Sequence, residues 1–283
     1  MGGMKKRVLE IFYRIVACGV LPRRLFIADL PNIDRSQEAS VPDRPLRLEI
    51  VSHCWRYSPV LTYQLSSLVL HPPREIDVQM TVFYSPEDTD TEKLLKAFGD
   101  RDVPHVTWNW QPIEKHELFR RCIGRNRAAL ATGADWIWFA DCDVVFHEGS
   151  LDSAGRVLKE QTADLVFPQH HGVTPMLKPD DPIFETARER SSDDTALLLD
   201  IRPETFEPEF RAKAVGAFQI LRGPVARVMG YCRSVDFYQQ PVPRWQKTYE
   251  DRMFRWLLGT HGTPVEIPGI YRIRHIVKGR KTG

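Results

Sequence analysis

Several features are missing from this 283-residue chain, and each absence narrows the function classes open to it. No C-x-x-C pair occurs. The five cysteines, Cys18, Cys54, Cys122, Cys142 and Cys232, are odd in number and widely spaced. That argues against a zinc knuckle or a disulfide framework, and for a reducing compartment. No stretch of about 18 uninterrupted apolar residues exists, so no membrane-spanning helix is expected. Val8 to Leu21 is apolar but broken by Glu10 and Arg14, and it lacks the small-residue cleavage site of a signal peptide. A cytoplasmic location follows as the expectation. Long basic runs are absent and the net charge is only +2, so no nucleic-acid partner is expected. There is no internal repeat and no low-complexity tract.

What is present suffices for a large core, since 42% of the residues are apolar. From Lys5 to Leu21 apolar residues recur at helical spacing (Val8, Ile11, Phe12, Ile15, Val16), with Glu10 and Arg14 on the other side and basic residues flanking. Two readings fit residues 5–21: a helix lying on the inner face of an anionic membrane, or one packed on its own domain or on a second copy. Pro31 to Pro45 reads as a linker. The division is therefore an N-terminal helix and linker over 1–45 and one domain over 46–283.

Strand and helix signals then alternate. Strands are expected at Leu46–Ser52, Asp77–Tyr84, Val103–Trp110, Trp136–Ala140 and Asp164–Phe167. Between them helices are expected from Ser58-Pro59 to about Leu70, around Thr91–Phe98, over Leu118–Thr132 with Gly133 as the C′ glycine, and over Ser150–Lys159. This rhythm implies βαβ units and a mainly parallel, doubly wound sheet with helices on both faces, an α/β fold. Pro168 to Phe210 breaks the rhythm and reads as a long irregular segment of the kind that forms lids. Order returns with a strand at Val215–Leu221, helices at Pro224–Tyr231 and Tyr249–Leu258, and short strands at Pro264–Ile267 and Tyr271–Ile276.

The chemistry concentrates at Asp135-Trp-Ile-Trp-Phe-Ala-Asp141-Cys142-Asp143, where a buried strand ends in two carboxylates. Ionised carboxylates at a buried strand end are costly unless something positive sits beside them, and a divalent cation carrying phosphate oxygens would serve. Solvated loop acids or a helix-capping Asp are the plainer alternative. Arg125, in Gly124-Arg-Asn-Arg-Ala-Ala129, offers a planar donor fork to a phosphate or a base carbonyl, or simply a solvated helix face. Glu250-Asp251 opens a helix, where a carboxylate is favoured by the dipole and can also accept a proton from an acceptor hydroxyl. His275 could complete a divalent site; His170, His171 and His261 are rivals. Trp245, with Pro241, Pro243 and Tyr249, could present a flat face to a sugar ring or belong to the core.

Taken together, these residues resemble a GT-A-type glycosyltransferase, most closely the inverting family 2 group. The turn Val51-Ser52-His53, the helix Gly124-Arg125-Asn126-Arg127-Ala128, the strand running into Asp141-Cys142-Asp143, and Tyr249-Glu250-Asp251 follow the family's order from about Leu46 to His275. The resemblance implies a GT-A fold, a nucleotide-diphosphate sugar donor, Mn2+ or Mg2+, and a glycan, glycolipid or protein acceptor. By it, Asp143 would bind the metal, with His275 as a third ligand of the kind seen in D-x-D plus histidine sites. Asp141 would contact the donor, Ser52 and Arg125 would line the nucleotide pocket, Asp88 would meet the base, and Asp251 would be the catalytic base. Ser85-Pro-Glu-Asp88-Thr departs from the family's D-G-S. A retaining GT-A enzyme, a nucleotidyltransferase and a non-catalytic carbohydrate-binding protein remain as alternatives; a nucleotidyltransferase usually has a glycine-rich loop near the first strand, and none follows Ser52.

Overall fold

The structure, a computed structural model, describes residues 8–9, 11–13, 21–25, 44–191, 198–245 and 249–275. Most of the expected helix over 5–21, most of the linker, and the basic tail Lys278–Lys281 lie outside these residues. Among the described residues no helix is long and apolar enough to cross a membrane. Tyr13 is described, and its ring lies 5.8 Å from that of Phe237 and 6.2 Å from that of Tyr238.

In chain order the elements are β1 (Leu46–Cys54), α1 (Ser58–Leu70), β2 (Ile76–Tyr84), α2 (Thr89–Gly99), β3 (Val106–Pro112), α3 (Lys115–Leu118), α4 (Arg121–Ala131), β4 (Trp136–Phe139), β5 (Val144–Phe146) and α5 (Ser150–Lys159). There follow β6 (Leu165–Pro168), β7 (His170–Val173), α6 (Pro182–Ser191), β8 (Glu207–Phe210), β9 (Gln219–Arg222), α7 (Gly223–Met229), α8 (Glu250–Leu258), β10 (Thr263–Val265) and β11 (Ile270–Arg272).

Seven strands form the central sheet in the order β10-β6-β9-β4-β1-β2-β3. β9 runs antiparallel to both neighbours, and every other pairing is parallel. The α/β class and mainly parallel sheet expected from the alternation are therefore what the chain forms. Every residue of β4 is buried, as a strand covered on both faces requires. The register identifies what covers each face. Side chains alternate along a strand, and Ser52 on β1 meets α1 through Gln64, while Ile76, paired with Leu46 on the same face, meets α5 at Gly155. His53 and Phe83 point the other way, against Gly124 of α4.

Local chemistry explains the boundaries. Pro59 sits in the first turn of α1, where its missing N–H costs nothing. Asp88 caps α2 by accepting from Thr91 N. The helix expected over Leu118–Thr132 forms as α4, Arg121–Ala131, and a separate single turn, α3, ends at Leu118. Gly133 is not the left-handed C′ residue anticipated: the chain leaves α4 through extended Thr132, whose hydroxyl accepts from Ala134 N at 3.1 Å. The segment expected to be irregular, Pro168 to Phe210, instead contains β7, α6 and β8. With β5 and β11 these strands make a second sheet, ordered β5-β11-β7-β8. It encloses a smaller core of Val60, Tyr63, Val145, Leu177, Phe184, Ile201 and Ile273 beside α1.

Candidate active site

The central sheet turns outward in both directions from β1: β2 and β3 lie on one side, β4 on the other. At such a switch point the loops after adjacent strands diverge and leave a crevice at their carboxyl ends. His53-Cys54 at the end of β1 and Asp141-Cys142-Asp143 after β4 line a cavity there, together with Trp55, Tyr57, Phe119, Arg121 and Trp245.

Three arginines hold the acids. Arg121 donates to Asp141 Oδ1 at 2.5 Å and reaches Glu250 Oε1 at 2.7 and 3.1 Å. Burial opposes its charge, but Asp141 and Glu250 hold the guanidinium protonated well above its ordinary range. Arg125 is fully buried behind Asp141. It donates to Asp141 Oδ1 at 3.2 Å, to the carbonyls of Ala140 and Gly216 at 3.3 and 3.1 Å, and to Tyr231 Oη at 2.9 Å. Arg272 donates from Nε to Asp143 Oδ2 at 3.1 Å and stands 3.8 Å from Asp141 Oδ2. The antiparallel pairing of β11 with β5 brings it there, with Arg272 opposite Val144. Asp143 first, despite burial, raises the Arg272 pKa.

Asp143 is 5% exposed, and its Oδ1 has no hydrogen-bond partner among the described residues. A buried carboxylate oxygen left so is costly without a donor or cation, so its chemistry fits a hard divalent ion. Ile273 N, two residues before His275, donates to the Asp143 carbonyl at 2.9 Å, which carries His275 to the same end of the sheet. His275 is buried, with Nδ1 3.1 Å from Tyr57 Oη. Asp141, Asp143 and His275 do not bring three ligand atoms within 4.8 Å of one another. Cys142 is no thiolate: its hydrogen bond to Cys54, then burial, pushes the thiol well above its usual range. His53 stacks on Phe83, and burial, with Arg125 and Arg121 nearby, drives its pKa well below 6.5, so the ring is neutral.

Three of the expected donor-binding residues have structural partners and do not line the cavity. Ser52 is fully buried and donates to Gln64 Oε1 at 2.8 Å. Gln64 Nε2 in turn donates to the carbonyls of Asp141 and Val144 at 3.0 and 2.9 Å. Ser52 thus anchors the acidic turn from behind. Arg125 does the same from the other face. Asp88 accepts from Arg56 N and from Thr91 Oγ1, the latter at 2.7 Å, so it braces the turn after β1 while capping α2. Gln64 and Arg121 were not singled out by sequence reasoning. The signal for Gln64 was an amide between Tyr63 and Leu65 on a helix otherwise built of apolar and small residues.

Asp251, in the first turn of α8, accepts from Gly216 N at 3.4 Å. Gly216 (φ +37°) lies between the two acids: its N–H faces Asp251, and a side chain there would stand 4.0 Å from Asp141 Oδ2. Trp55 is flanked by Lys115 Nζ at 4.8 Å and Arg56 Cζ at 5.2 Å from its ring, and meets Phe119 edge-on at 5.5 Å. Of the rival histidines, His171 is buried beside Glu209, and His170 pairs with Glu266 at the surface.

No protein-family model matches the chain, and no curated sequence does. Among solved structures it is similar to S. aureus TarS 1-349, with 12% identity and a TM-score of 0.43 over 82% of this chain and 58% of that one. Similarity extends to TarS in complex with UDP-GlcNAc, with 10% identity and a TM-score of 0.49 over 84% of this chain and 61% of that one. The mannosyltransferase PcManGT from Pyrobaculum calidifontis, in complex with GDP-Man and Mn2+, gives 12% identity and a TM-score of 0.47 over 96% of this chain and 69% of that one. The chain thus spans less than two thirds of the TarS chains it matches.

Proposed function

We propose that the chain is a GT-A-type glycosyltransferase that moves a sugar from a nucleotide-diphosphate donor to a hydroxyl of a glycan or glycolipid, with inversion and with a divalent cation. One observation carries the reading. An acid pair at the switch point of the sheet is held by arginines on three sides and opens on an aromatic-lined cavity.

Asp143 would hold Mn2+ or Mg2+ through its unbonded oxygen, with His275 as a further ligand. Bound there, the ion would neutralise charge on the leaving diphosphate. Arg121 and Arg272 bring fixed positive charge to the acid pair, and preorganised donors of this kind stabilise a charge that develops during reaction. Trp55, Phe119 and Trp245 offer flat faces on which a base or a sugar ring can lie. Asp251 takes the proton of the acceptor hydroxyl. Glu250 beside it is already bonded to Arg121, whereas Asp251 makes no ion pair among the described residues. Gly216 sets Asp251 across from Asp141, so base and donor side flank one glycine.

Asp251→Asn keeps shape and removes the base. The expected result is loss of sugar transfer by 100-fold or more, on the order of what a general base contributes, with donor affinity by calorimetry unchanged. Transfer at the wild-type rate would remove Asp251 from the mechanism. NMR of the product anomer tests inversion separately.

A further inference from the structure

A second group of ligating side chains lies at the far end of α1, away from the cavity. His71, the residue that caps the C-terminus of α1, His147, just after β5, and Asp200 bring one ligand atom each within 4.8 Å of the others. Among the described residues this is the one such group of three or more. α1 runs from the acid-pair end of the sheet to this group, and His147, four residues beyond Asp143, lies at most about 14 Å along an extended chain from that acid's backbone.

The group is already close to the geometry a cation needs. His71 Nε2 lies 3.1 and 3.2 Å from the two Asp200 oxygens. Ligands about 2.0–2.1 Å from a tetrahedral zinc stand about 3.4 Å apart, so this pair has the required spacing. The His71 and His147 rings are 4.3 Å apart, tilted by 44°. His147 is fixed by its backbone, with its N–H on the Gly269 carbonyl at 2.8 Å, and its ring meets Tyr271 edge-on at 5.9 Å. Asp200 is fixed too: the preceding Leu199 N donates to Ser66 Oγ at 3.0 Å, and Ile201 N donates to Asp200 Oδ1 at 2.8 Å. The Asp200 side chain is 42% exposed, which leaves an entry path and a position for water.

We propose that His71, His147 and Asp200 form a binding site for a borderline divalent cation of the Zn2+ class. Two imidazoles and one carboxylate suit zinc, whereas Mg2+ and Mn2+ favour oxygen ligands. The ion joins three stretches distant in sequence: the end of α1, the end of β5 and the return of the chain after α6. Its role is to tie that return to the main domain, so it stabilises the fold and leaves the acid pair untouched.

The test uses the full chain, stripped with a chelator and dialysed. Titration with Zn2+ alone should give one saturable site and a higher thermal midpoint. His147→Ala and Asp200→Asn should each weaken binding by at least about tenfold, the loss that removing even an outer-shell partner causes. Asp143→Asn should leave this Zn2+ affinity unchanged. Asp200→Asn changes an exposed group, so it remains informative if a histidine variant fails to fold. Absence of saturable binding, or binding undiminished in Asp200→Asn, would overturn the site. Zn2+ binding lost in Asp143→Asn but kept in His147→Ala would move the ion to the cavity and also overturn it.

Discussion

The carboxamide of Gln64 is fully buried; it accepts from the buried Ser52 hydroxyl and donates to the carbonyls of Val144 and half-buried Asp141. Gln64→Leu keeps the volume but strands the Ser52 hydroxyl and takes the amide donor from the carbonyls of Val144 and Asp141, the latter keeping only the Val144 N–H at 3.2 Å. Stranded buried polar groups cost about 1–3 kcal/mol, so urea unfolding should show a loss of about 2 kcal/mol. Because the freed carbonyls belong to the acidic turn, donor affinity should fall as well, with Ser52→Ala causing a smaller loss of both. Sequence reasoning could see Asp141 and Asp143, since a buried strand that ends in acid is a local pattern. It could not see that Ser52, Arg125 and Asp88 point inward, because direction is set by partners tens of residues away. Arg125 is the clearest instance. Its fork reads as a phosphate clamp, yet it is fully buried and its bonds go to Asp141 Oδ1, the carbonyls of Ala140 and Gly216, and Tyr231 Oη.

At the level of elements, the contact between α4 and the β1–β2 pair positions Arg121 and Arg125 together. It depends on Gly124: a Cβ there would collide with His53 Nε2 and approach Phe83 at 3.0 Å. Both are ring atoms held by stacking, so neither can give way cheaply. Gly124→Ala should therefore lower stability by about 1–3 kcal/mol, the usual cost of overpacking, read as a drop in thermal midpoint. The same variant should reduce donor binding, since α4 would be displaced from the acids. β1 to β4, β6 and the helices α1, α2, α4 and α5 were legible to within a few residues, because their apolar runs are bounded by Pro, Gly and capping residues, whereas the short β5 and α3 were not expected as elements. The direction of β9 was not, since alternation does not record whether a strand runs up or down. β7 and β8 were hidden for a different reason. They are four residues each, His-His-Gly-Val and Glu-Pro-Glu-Phe, with no run of strand-forming residues, and acquire strand geometry only by pairing with each other and β11.

Across the whole molecule, the second sheet gives stability a dependence on pH. His171 on β7 is buried against Phe218 and faces Glu209 on β8 and Arg211 just after it, with Arg272 of β11 nearby. Burial first, then Arg211, lowers its pKa from 6.5 to about 4. The folded state thus binds fewer protons than the unfolded chain in that window. The stabilisation it represents is complete above pH 6.5, falls as pH drops through the window, and is gone below about 4. The urea midpoint should decline from pH 6.5 to 4, and His171→Gln should flatten that decline; an equal slope in both proteins would assign the dependence to other groups. The central sheet has a consequence for how the chain is made. β9 sits between β4 and β6 but is the last of the three to leave the ribosome. At about 5–20 residues per second, β4 emerges on the order of ten seconds before the strand that seals its open side. During that interval Trp136-Ile137-Trp138-Phe139 presents an unpaired apolar edge, the kind of edge that recruits other chains. Ribosome-bound chains that end before β9 should therefore be captured by a holding chaperone more than chains whose β9 has emerged, which crosslinking of arrested chains would check.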